Sequence, residues 1–411
     1  MVAQPLETPQ LPEAPEAFLP YGRHCVDEAD IAAVAAVLRS DRLAHGPTVG
    51  EFETAFAVAV GADSAAACSS GTAALHLALA ALDLGPGEVC IVPAMTFLAS
   101  ATAARFCGAE VVFADIDPVS GLMTAETLQA ALVQAAGKAR CVVPVHLGGR
   151  ICAMDEIADT ARSAGLAIVE DACHALGGHD AAGQAVGACT HSEAAAFSFH
   201  PVKTLAAGEG GMVATPDPDR AARMRRLANH GVTKDLDLIV DAELSLGADG
   251  ELNPWSYEQA ELGFNYRMNE LEAALGLSQL GKLERFARRR RELMLLYDLS
   301  LESLGGIVQP VRPGAPGQRI SPHLHQVLID FESAGVDRAT VMRRLADQGI
   351  GTQVHYIPVY RQPYFVRRYG AMRLAGAEAF YERVLALPLF PAMRNQDIGR
   401  VTAALAEALR L

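Results

Sequence analysis

Short runs of apolar residues recur along the first half of the chain, and each is followed by a loop and a helical pattern of apolar positions. Runs this apolar indicate strands buried on both faces, as in a mainly parallel sheet that is covered by helices. The strands predicted in this way are Ala65–Ala67, Val89–Pro93, Val111–Asp115, Cys141–Val145, Ala167–Glu170, Ala194–Phe199 and Met212–Ala214. The predicted helices include Asp27–Leu38, Thr72–Leu82 and Met154–Ala164.

The second half of the chain has a different pattern. One long helix is predicted to begin after Asn269, a residue suited to capping, because leucines repeat along one side of the segment that follows. Strands and helices then mix: the predicted elements are a strand at His325–Phe331, a helix at Asp337–Gly349, a strand near Gly351–Ile357 and a last helix at the C-terminus. We therefore predict an α/β fold with a mainly parallel central sheet. Its parts are a loose tail (1–18), a large α/β domain (19–268) and a linking helix with a small α+β domain (269–411).

Composition and charge exclude several classes of protein. The chain has 411 residues, a formal net charge of −14 and 51% hydrophobic residues, which argues against a disordered chain and against a partner that is nucleic acid or an anionic membrane. No apolar stretch is long enough for a membrane span, and we expect no signal peptide. The eight cysteines include no C-x-x-C pair, so we expect reduced thiols in a cytoplasmic protein.

Two groups of residues after the early strands could hold a flat, phosphorylated ligand, because ligands bind at the carboxyl ends of strands in open α/β sheets. Ser70, Gly71 and Thr72 open a predicted helix, and the free N–H groups at a helix start suit a phosphate. Phe97 follows Val89–Pro93 and offers an aromatic face. Taken alone, the first group is better explained as a helix cap, and Phe97 as ordinary packing.

Asp171 and Lys203 are sharper candidates. Asp171 ends a buried strand, where a carboxylate needs a positive partner, although a helix-capping role explains it equally well. Lys203 follows Ala194–Phe199, where burial would lower the pKa of the amine and favour its reactive free form. The alternative is a surface lysine on a loop, and the nearby Asp171 argues against it. His174 lies one turn beyond Asp171. One cofactor uses a reactive lysine, a carboxylate, an aromatic face and a phosphate-binding helix start together, and that cofactor is pyridoxal 5′-phosphate.

The order of several motifs points to a known family. The chain carries in succession the stretches CSSGTAALHLAL, VPAMTFLASATA, VEDACHALGG, FSFHPVKTLAAGEGG and LGFNYRMNELEAAL. With these it resembles the sugar aminotransferases of the DegT/DnrJ/EryC1/StrS family, from Tyr21 to the C-terminus. The resemblance implies the fold type I aminotransferase architecture and pyridoxal 5′-phosphate as cofactor.

The resemblance also implies roles for individual residues. Lys203 resembles the lysine that binds the cofactor covalently, Asp171 the partner of the ring nitrogen, and His174 the residue beside the ring hydroxyl. Phe97 resembles the aromatic that stacks on the ring. The residues that resemble the phosphate site are Ser70, Gly71, Thr72, Ser198 and, from a neighbouring subunit, Asn265. The last role implies a homodimer with shared active sites.

Family members with histidine at the lysine position perform a dehydration, so Lys203 indicates an aminotransferase. The stretches SFHPVK, LRSD and VHYIPVYRQPYF most resemble the aminotransferases of pseudaminic acid synthesis. This implies transfer of an amino group from L-glutamate to C4 of a UDP-linked 4-keto-6-deoxy-N-acetylhexosamine. The alternatives are another nucleotide-linked keto sugar aminated at C3 or C4, a cyclitol ketone, or a non-catalytic regulator that binds the cofactor.

The sequence identifies the residues that bind the substrate less well than those that bind the cofactor. The candidates are Tyr21, His45, Arg267, His323 and His355. The chain departs from the family pattern at Ala44-His45, Thr204–Ala207 and His325. His323 and His325 are predicted to share one face of a strand, but two ligands are too few for a metal, so we predict no metal site.

Overall fold

The central element is a seven-stranded sheet with the strand order β1-β7-β6-β5-β4-β2-β3. The computed structural model describes residues 18–312 and 315–411, so the predicted tail lies outside the described residues except for Phe18. The strands are β1 (Ser64–Cys68), β2 (Val89–Pro93), β3 (Glu110–Ala114), β4 (Ala139–Val142), β5 (Ala167–Asp171), β6 (Ala194–Ser198) and β7 (Gly211–Thr215). Only β7 runs against its neighbours, and the other pairs within the sheet are parallel.

Helices cover this sheet and continue into the C-terminal part. The first eight are α1 (Glu28–Leu38), α2 (Thr48–Val60), α3 (Gly71–Ala80), α4 (Leu98–Phe106), α5 (Ala125–Gln134), α6 (Met154–Ser163), α7 (Pro218–Ala228) and α8 (Ala242–Ser245). The others are α9 (Glu270–Leu280), α10 (Leu283–Leu301), α11 (Arg338–Asp347), α12 (Pro363–Tyr369), α13 (Ala375–Arg383) and α14 (Asn395–Leu409). Within the described ranges, none of them is both long enough and apolar enough to cross a membrane.

Two smaller sheets complete the fold. β8 (Val232–Thr233) pairs with β9 (Glu258–Gln259), and the C-terminal part contains β10 (Val308–Pro310), β11 (His325–Ile329) and β12 (Val384–Leu387) in one antiparallel sheet. An apolar cluster beside this sheet joins α10, α11 and α14. The main apolar cluster runs from α3 and the large sheet to Tyr360 and Phe380, so C-terminal residues pack directly on the large sheet.

The mainly parallel sheet with flanking helices confirms the predicted fold class, and the predicted strands of the large sheet are all present with ends shifted by up to three residues. The predicted single helix after Asn269 is wrong, because the segment breaks at Gly281 and Lys282 into α9 and α10. The predicted strand near Gly351–Ile357 is also wrong. Only Gln353 forms a bridge, to Ala386, while the carbonyl of His355 accepts from the Gln326 side chain instead of a strand neighbour. The division into two domains stays a prediction.

Candidate active site

The start of α3 forms a tight cradle against β6. Ser70 caps the helix by accepting from the N–H of Ala73 at 3.1 Å. The N–H groups of Gly71 and Thr72 lie in the first turn, where a helix provides no carbonyl acceptor for them. A Cβ on Gly71 would lie 2.6 Å from Cβ of Ser198, which is closer than atoms approach. Glycine is therefore what lets the Ser198 side chain lie against the first turn of α3. The cradle offers N–H and hydroxyl groups, which suits a phosphate.

The carboxylate of Asp171 is held from two sides at the carboxyl end of β5. Ser100 donates its hydroxyl to Oδ2 at 2.7 Å, and the N–H of Cys173 donates to Oδ1 at 3.2 Å. Thr96 hydrogen-bonds to the Ser100 hydroxyl at 2.7 Å, so the serine is itself oriented. Asp171, Ser100 and Thr96 are all buried. A buried carboxylate fixed in this way can accept a hydrogen bond from a cationic ring nitrogen with little reorganisation.

His174 is buried beside this carboxylate and is neutral. Burial, followed by the charge of Lys203, lowers the pKa of His174 well below its ordinary value. Gly148 donates its N–H to Nδ1 of His174 at 3.2 Å, and Nε2 lies 3.3 Å from the hydroxyl of Tyr356. The backbone N–H can only donate, so Nδ1 is the acceptor and the imidazole proton is on Nε2.

Lys203 lies half-buried in the turn after β6. Its backbone N–H donates to the carbonyl of His200 at 2.8 Å, which fixes the turn. Burial lowers the pKa of the Lys203 amine below its ordinary value, and the neighbouring Cys173 and Asp171 oppose that shift only in part. Within the described ranges its ammonium forms no ion pair. A lysine in this state supplies a free amine more readily than a surface lysine does.

Aromatic rings and two further histidines surround the same region. Phe97 is 53% exposed although it lies at the start of α4, and its ring centroid is 5.8 Å from that of Tyr356. His323 packs 4.5 Å from His174, and the His355 ring lies 5.4 Å from the ring of Tyr21.

His323 and His355 each bury an Nδ1 atom that has no hydrogen-bond partner among the described residues. Burial lowers the pKa of both imidazoles, to about 3 for His355, and the charge of Lys203 contributes to both shifts. Both rings are therefore neutral at physiological pH. Buried neutral rings with spare hydrogen-bonding capacity suit an uncharged polar ligand.

Three of the predicted site residues are not joined to this group by a hydrogen bond or ring contact within the described residues. His45 is exposed on a loop whose backbone is held to α9 by Glu270. Arg267 donates to the Asn229 side chain at 2.8 Å, and the side chain of Asn265 is exposed. Their predicted roles stay predictions.

His325 corrects one expectation. Its ring stacks on Tyr297 at 4.3 Å, whereas His323 precedes β11 and contacts His174, so the two histidines do not share a face. The predicted shared face is wrong because only His325 belongs to β11, and the two rings pack on different partners. Across the described ranges no group of three or more His, Cys, Asp or Glu side chains is placed to hold a metal ion.

Sequence reasoning missed Ser100, Gly148 and Tyr356, which orient the Asp171 and His174 side chains. Tyr356 adjoins His355, which was a candidate, and Ser100 lies one turn beyond Phe97. A polar residue in the first turn after a strand end was the available signal for Ser100. Nothing in the sequence shows that Tyr356 meets His174, because 182 positions separate them.

These residues fit pyridoxal 5′-phosphate. The cradle at Gly71 and Ser198 matches a phosphate, the two-sided hold on Asp171 matches a cationic ring nitrogen, and the exposed face of Phe97 matches a flat ring. The amine of Lys203 matches an aldehyde. The donor set therefore suits each functional group of this cofactor.

Comparison with known proteins gives one consistent answer. The sequence profile of the DegT/DnrJ/EryC1/StrS aminotransferase family matches residues 24–406. The chain is 36% identical over 397 residues to the spore coat polysaccharide biosynthesis protein SpsC of Bacillus subtilis (strain 168), covering 96% of this chain and 97% of SpsC.

Solved structures agree with this result. PseC of Helicobacter pylori, an aminotransferase involved in the biosynthesis of pseudoaminic acid, superposes with a TM-score of 0.85 at 26% identity, covering 96% of this chain and 99% of PseC. The PLP-form of the putative sugar aminotransferase Spr1654 from Streptococcus pneumoniae has a TM-score of 0.84 at 25% identity, with coverage of 96% and 99%.

Proposed function

The chain belongs to the DegT/DnrJ/EryC1/StrS family and is a pyridoxal-phosphate-dependent sugar aminotransferase, and from this premise we propose its substrates and its site residues. The amino donor is L-glutamate, and the acceptor is C4 of a UDP-linked 4-keto-6-deoxy-N-acetylhexosamine. The observation that carries the site assignment is the half-buried amine of Lys203, which lies without an ion pair among the described residues and within electrostatic range of Asp171 and His174.

In this proposal each side chain has one task. When bound, pyridoxal 5′-phosphate would supply an aldehyde for the amino group and a conjugated ring that can hold the electron pair of the donor's Cα–H bond. Lys203 binds the cofactor aldehyde and, once displaced as a free amine, carries the proton from the donor Cα and later delivers one to the sugar carbon. Asp171 accepts a hydrogen bond from the ring nitrogen and keeps it protonated. Ser70, Gly71, Thr72 and Ser198 bind the phosphate, and Phe97 covers one face of the ring.

The sugar assignment is supported by the chemistry around His323 and His355. A sugar ring presents hydroxyl and amide groups, which neutral imidazoles bind without the desolvation cost of a charge. Tyr21 lies against His355 and adds a hydroxyl at the same place. The relatives agree with such a substrate, since PseC acts in pseudoaminic acid biosynthesis and SpsC in polysaccharide biosynthesis. Arg267 is proposed for the nucleotide diphosphate, which needs a basic group, and His45 stays a candidate substrate contact.

We also propose a homodimer in which Asn265 of one subunit reaches the phosphate of the other. The support is the exposed side chain of Asn265 together with the apolar side chains exposed nearby in sequence. All eight cysteines are free thiols, which agrees with a reducing compartment such as the cytoplasm.

A donor and acceptor panel tests the function directly. Purified enzyme with cofactor receives L-glutamate and either a UDP-linked 4-keto sugar, a nucleotide-linked 3-keto sugar or a cyclitol ketone, and 2-oxoglutarate is measured. We expect one 2-oxoglutarate per amino sugar with the 4-keto substrate. Amination of only the 3-keto sugar or the cyclitol refutes the sugar assignment.

Borohydride reduction followed by peptide mapping tests the lysine separately. The reduced cofactor should be attached to Lys203, and Lys203→Arg should abolish turnover. Lys234→Arg, which changes an exposed lysine, is the matched control and should keep full activity. Attachment at any other lysine contradicts the proposed site.

A further inference from the structure

A chain of hydrogen bonds at the edge of the site has a fixed direction. The N–H of Gly148 donates to Nδ1 of His174, so the ring proton is on Nε2 and points at the hydroxyl oxygen of Tyr356. Because that oxygen accepts from His174, the tyrosine's own proton must be donated elsewhere. Among the described residues no other group hydrogen-bonds to the Tyr356 hydroxyl, although the side chain is largely buried. The hydroxyl is therefore a donor that lacks an acceptor within the described part of the chain.

The hydroxyl of Tyr356 keeps its proton throughout the physiological range. Burial raises the pKa of the phenol above its ordinary value, and the charge of Asp171 adds to that shift. The tyrosine is also held in place. Its N–H contacts Sδ of Met95 at 3.2 Å, and its ring plane lies at 27° to that of His174 with the ring centroids 6.2 Å apart.

Sheet order shows which part of the cofactor this donor would meet. β5 carries Asp171, the proposed partner of the ring nitrogen, and the phosphate cradle at Ser198 and Gly71 lies toward β6 and β1. On the other side of β5 lies β4, whose chain continues to Gly148. In pyridoxal 5′-phosphate the phosphate arm and the ring hydroxyl are attached on opposite sides of the axis through the ring nitrogen. A ring with its nitrogen at Asp171 and its phosphate toward β6 therefore presents its hydroxyl oxygen toward Gly148, His174 and Tyr356.

We propose that Tyr356 donates its hydroxyl proton in a hydrogen bond to the ring oxygen of the bound cofactor, and that Gly148 and His174 fix the direction of this bond. The consequence is electronic as well as geometric. A hydrogen-bond donor at this oxygen stabilises the oxygen's anionic form. The pKa of the cofactor bound to Lys203 is therefore lower than it would be without the donor. The inference rests on the proposed positions of Lys203, Asp171 and the phosphate cradle, and it is independent of which sugar is aminated.

The test is a spectroscopic pH titration of the cofactor-loaded enzyme without any substrate. The midpoint of the change in the cofactor's visible absorption band is measured for the native protein and for Tyr356→Phe. We expect the midpoint to rise by about one pH unit in the variant, because the anionic oxygen loses a hydrogen bond. Tyr364→Phe removes a surface hydroxyl that contacts Arg105 and should leave the midpoint unchanged.

A second pair of variants tests whether Gly148 and His174 fix the direction of the Tyr356 hydrogen bond. Glutamine at position 174 can accept from Gly148 and donate to Tyr356, whereas leucine can do neither. His174→Leu should therefore have a higher midpoint than His174→Gln. An unchanged midpoint in Tyr356→Phe overturns the proposal, and should that variant not fold, equal midpoints in the two His174 variants overturn it. Because no substrate is present, failure of the sugar assignment alone leaves these outcomes unaffected.

Discussion

At the scale of single residues, the hold on Asp171 is the contact whose loss is easiest to measure. Its two oxygens already accept from the Ser100 hydroxyl and the Cys173 N–H, so the carboxylate is oriented before a cofactor arrives. Preorganisation of this kind lowers the free-energy cost of binding, because the Asp171 side chain loses little conformational entropy when the cofactor binds.

Ser100→Ala should weaken cofactor binding by about tenfold or more, since a hydrogen bond to a charged group contributes about 1.5–3 kcal/mol. The measurement is the dissociation constant of pyridoxal 5′-phosphate from an absorbance titration. Thr102→Ala is the matched control, because the Thr102 hydroxyl bonds only the backbone of the same helix, at the carbonyl of Leu98. Equal affinity in the two variants would show that Ser100 does not orient the carboxylate.

Some residues of the site could be predicted from the sequence and others could not. Lys203 and Ser70 follow strands of the sheet and Asp171 ends one, so their positions could be predicted from a local pattern and the rule that ligands meet strand ends. Ser100 and Tyr356 could not be found in this way. Their partners lie 71 and 182 positions away, and their role depends on side-chain contacts that no periodicity encodes.

At the scale of elements, the start of α3 lies tightly against β6. Gly71→Ala would place a Cβ 2.6 Å from Cβ of Ser198 and 3.3 Å from Sγ of Cys173, so the helix start or the strand must shift. We expect the variant to lose about 1–3 kcal/mol of unfolding free energy and most of its affinity for inorganic phosphate and cofactor.

Gly50→Ala is the matched control for that substitution. Gly50 lies in α2 with nothing within 4 Å of an added Cβ, so this change should be neutral or slightly stabilising. Urea unfolding and cofactor titration give the two quantities. Unchanged phosphate affinity in Gly71→Ala would contradict the cradle.

The elements also show where a periodic pattern stops being informative. The apolar runs predicted the large sheet because strands buried on both faces leave a strong local pattern. The break between α9 and α10 was missed, since leucines continue across it. Lys282, at the break, pairs with Asp27 and, at 2.8 Å, with the buried carboxylate of Asp30 in α1. The helix ends there with a contact to a distant element, which the leucine pattern does not contain.

At the scale of the whole molecule, the segment between α7 and α9 is the part of the chain proposed to meet a second subunit. Between α7 and α9 several large apolar side chains are exposed, among them Val240 (89%), Leu262 (82%) and Trp255 (73%). Exposed apolar side chains are typical of an interface when they adjoin on the surface, and the dimer proposal requires these to do so. Their neighbour Asn265 is the residue proposed to reach the other subunit's phosphate.

Leu262→Asp should therefore shift the protein toward monomers, raising the dimer dissociation constant by about tenfold or more, and should lower cofactor affinity with it. Light scattering after gel filtration and an absorbance titration give the two values. Val133→Asp, which places the same charge on an equally exposed position of α5, should change neither. A native protein that is monomeric at micromolar concentration would refute the proposed dimer.

The hydrogen bond between Tyr356 and His174 spans 182 positions of the chain, and the one between Ser100 and Asp171 spans 71. Both contacts exist only where distant segments of the chain have folded against each other. The cofactor consequently recognises the native chain and not its precursors, and occupancy adds about 2.7 kcal/mol to stability when free cofactor is a hundredfold above its dissociation constant. Scarcity of the vitamin from which the cofactor derives would then reduce the amount of this protein that survives proteolysis, as well as its turnover.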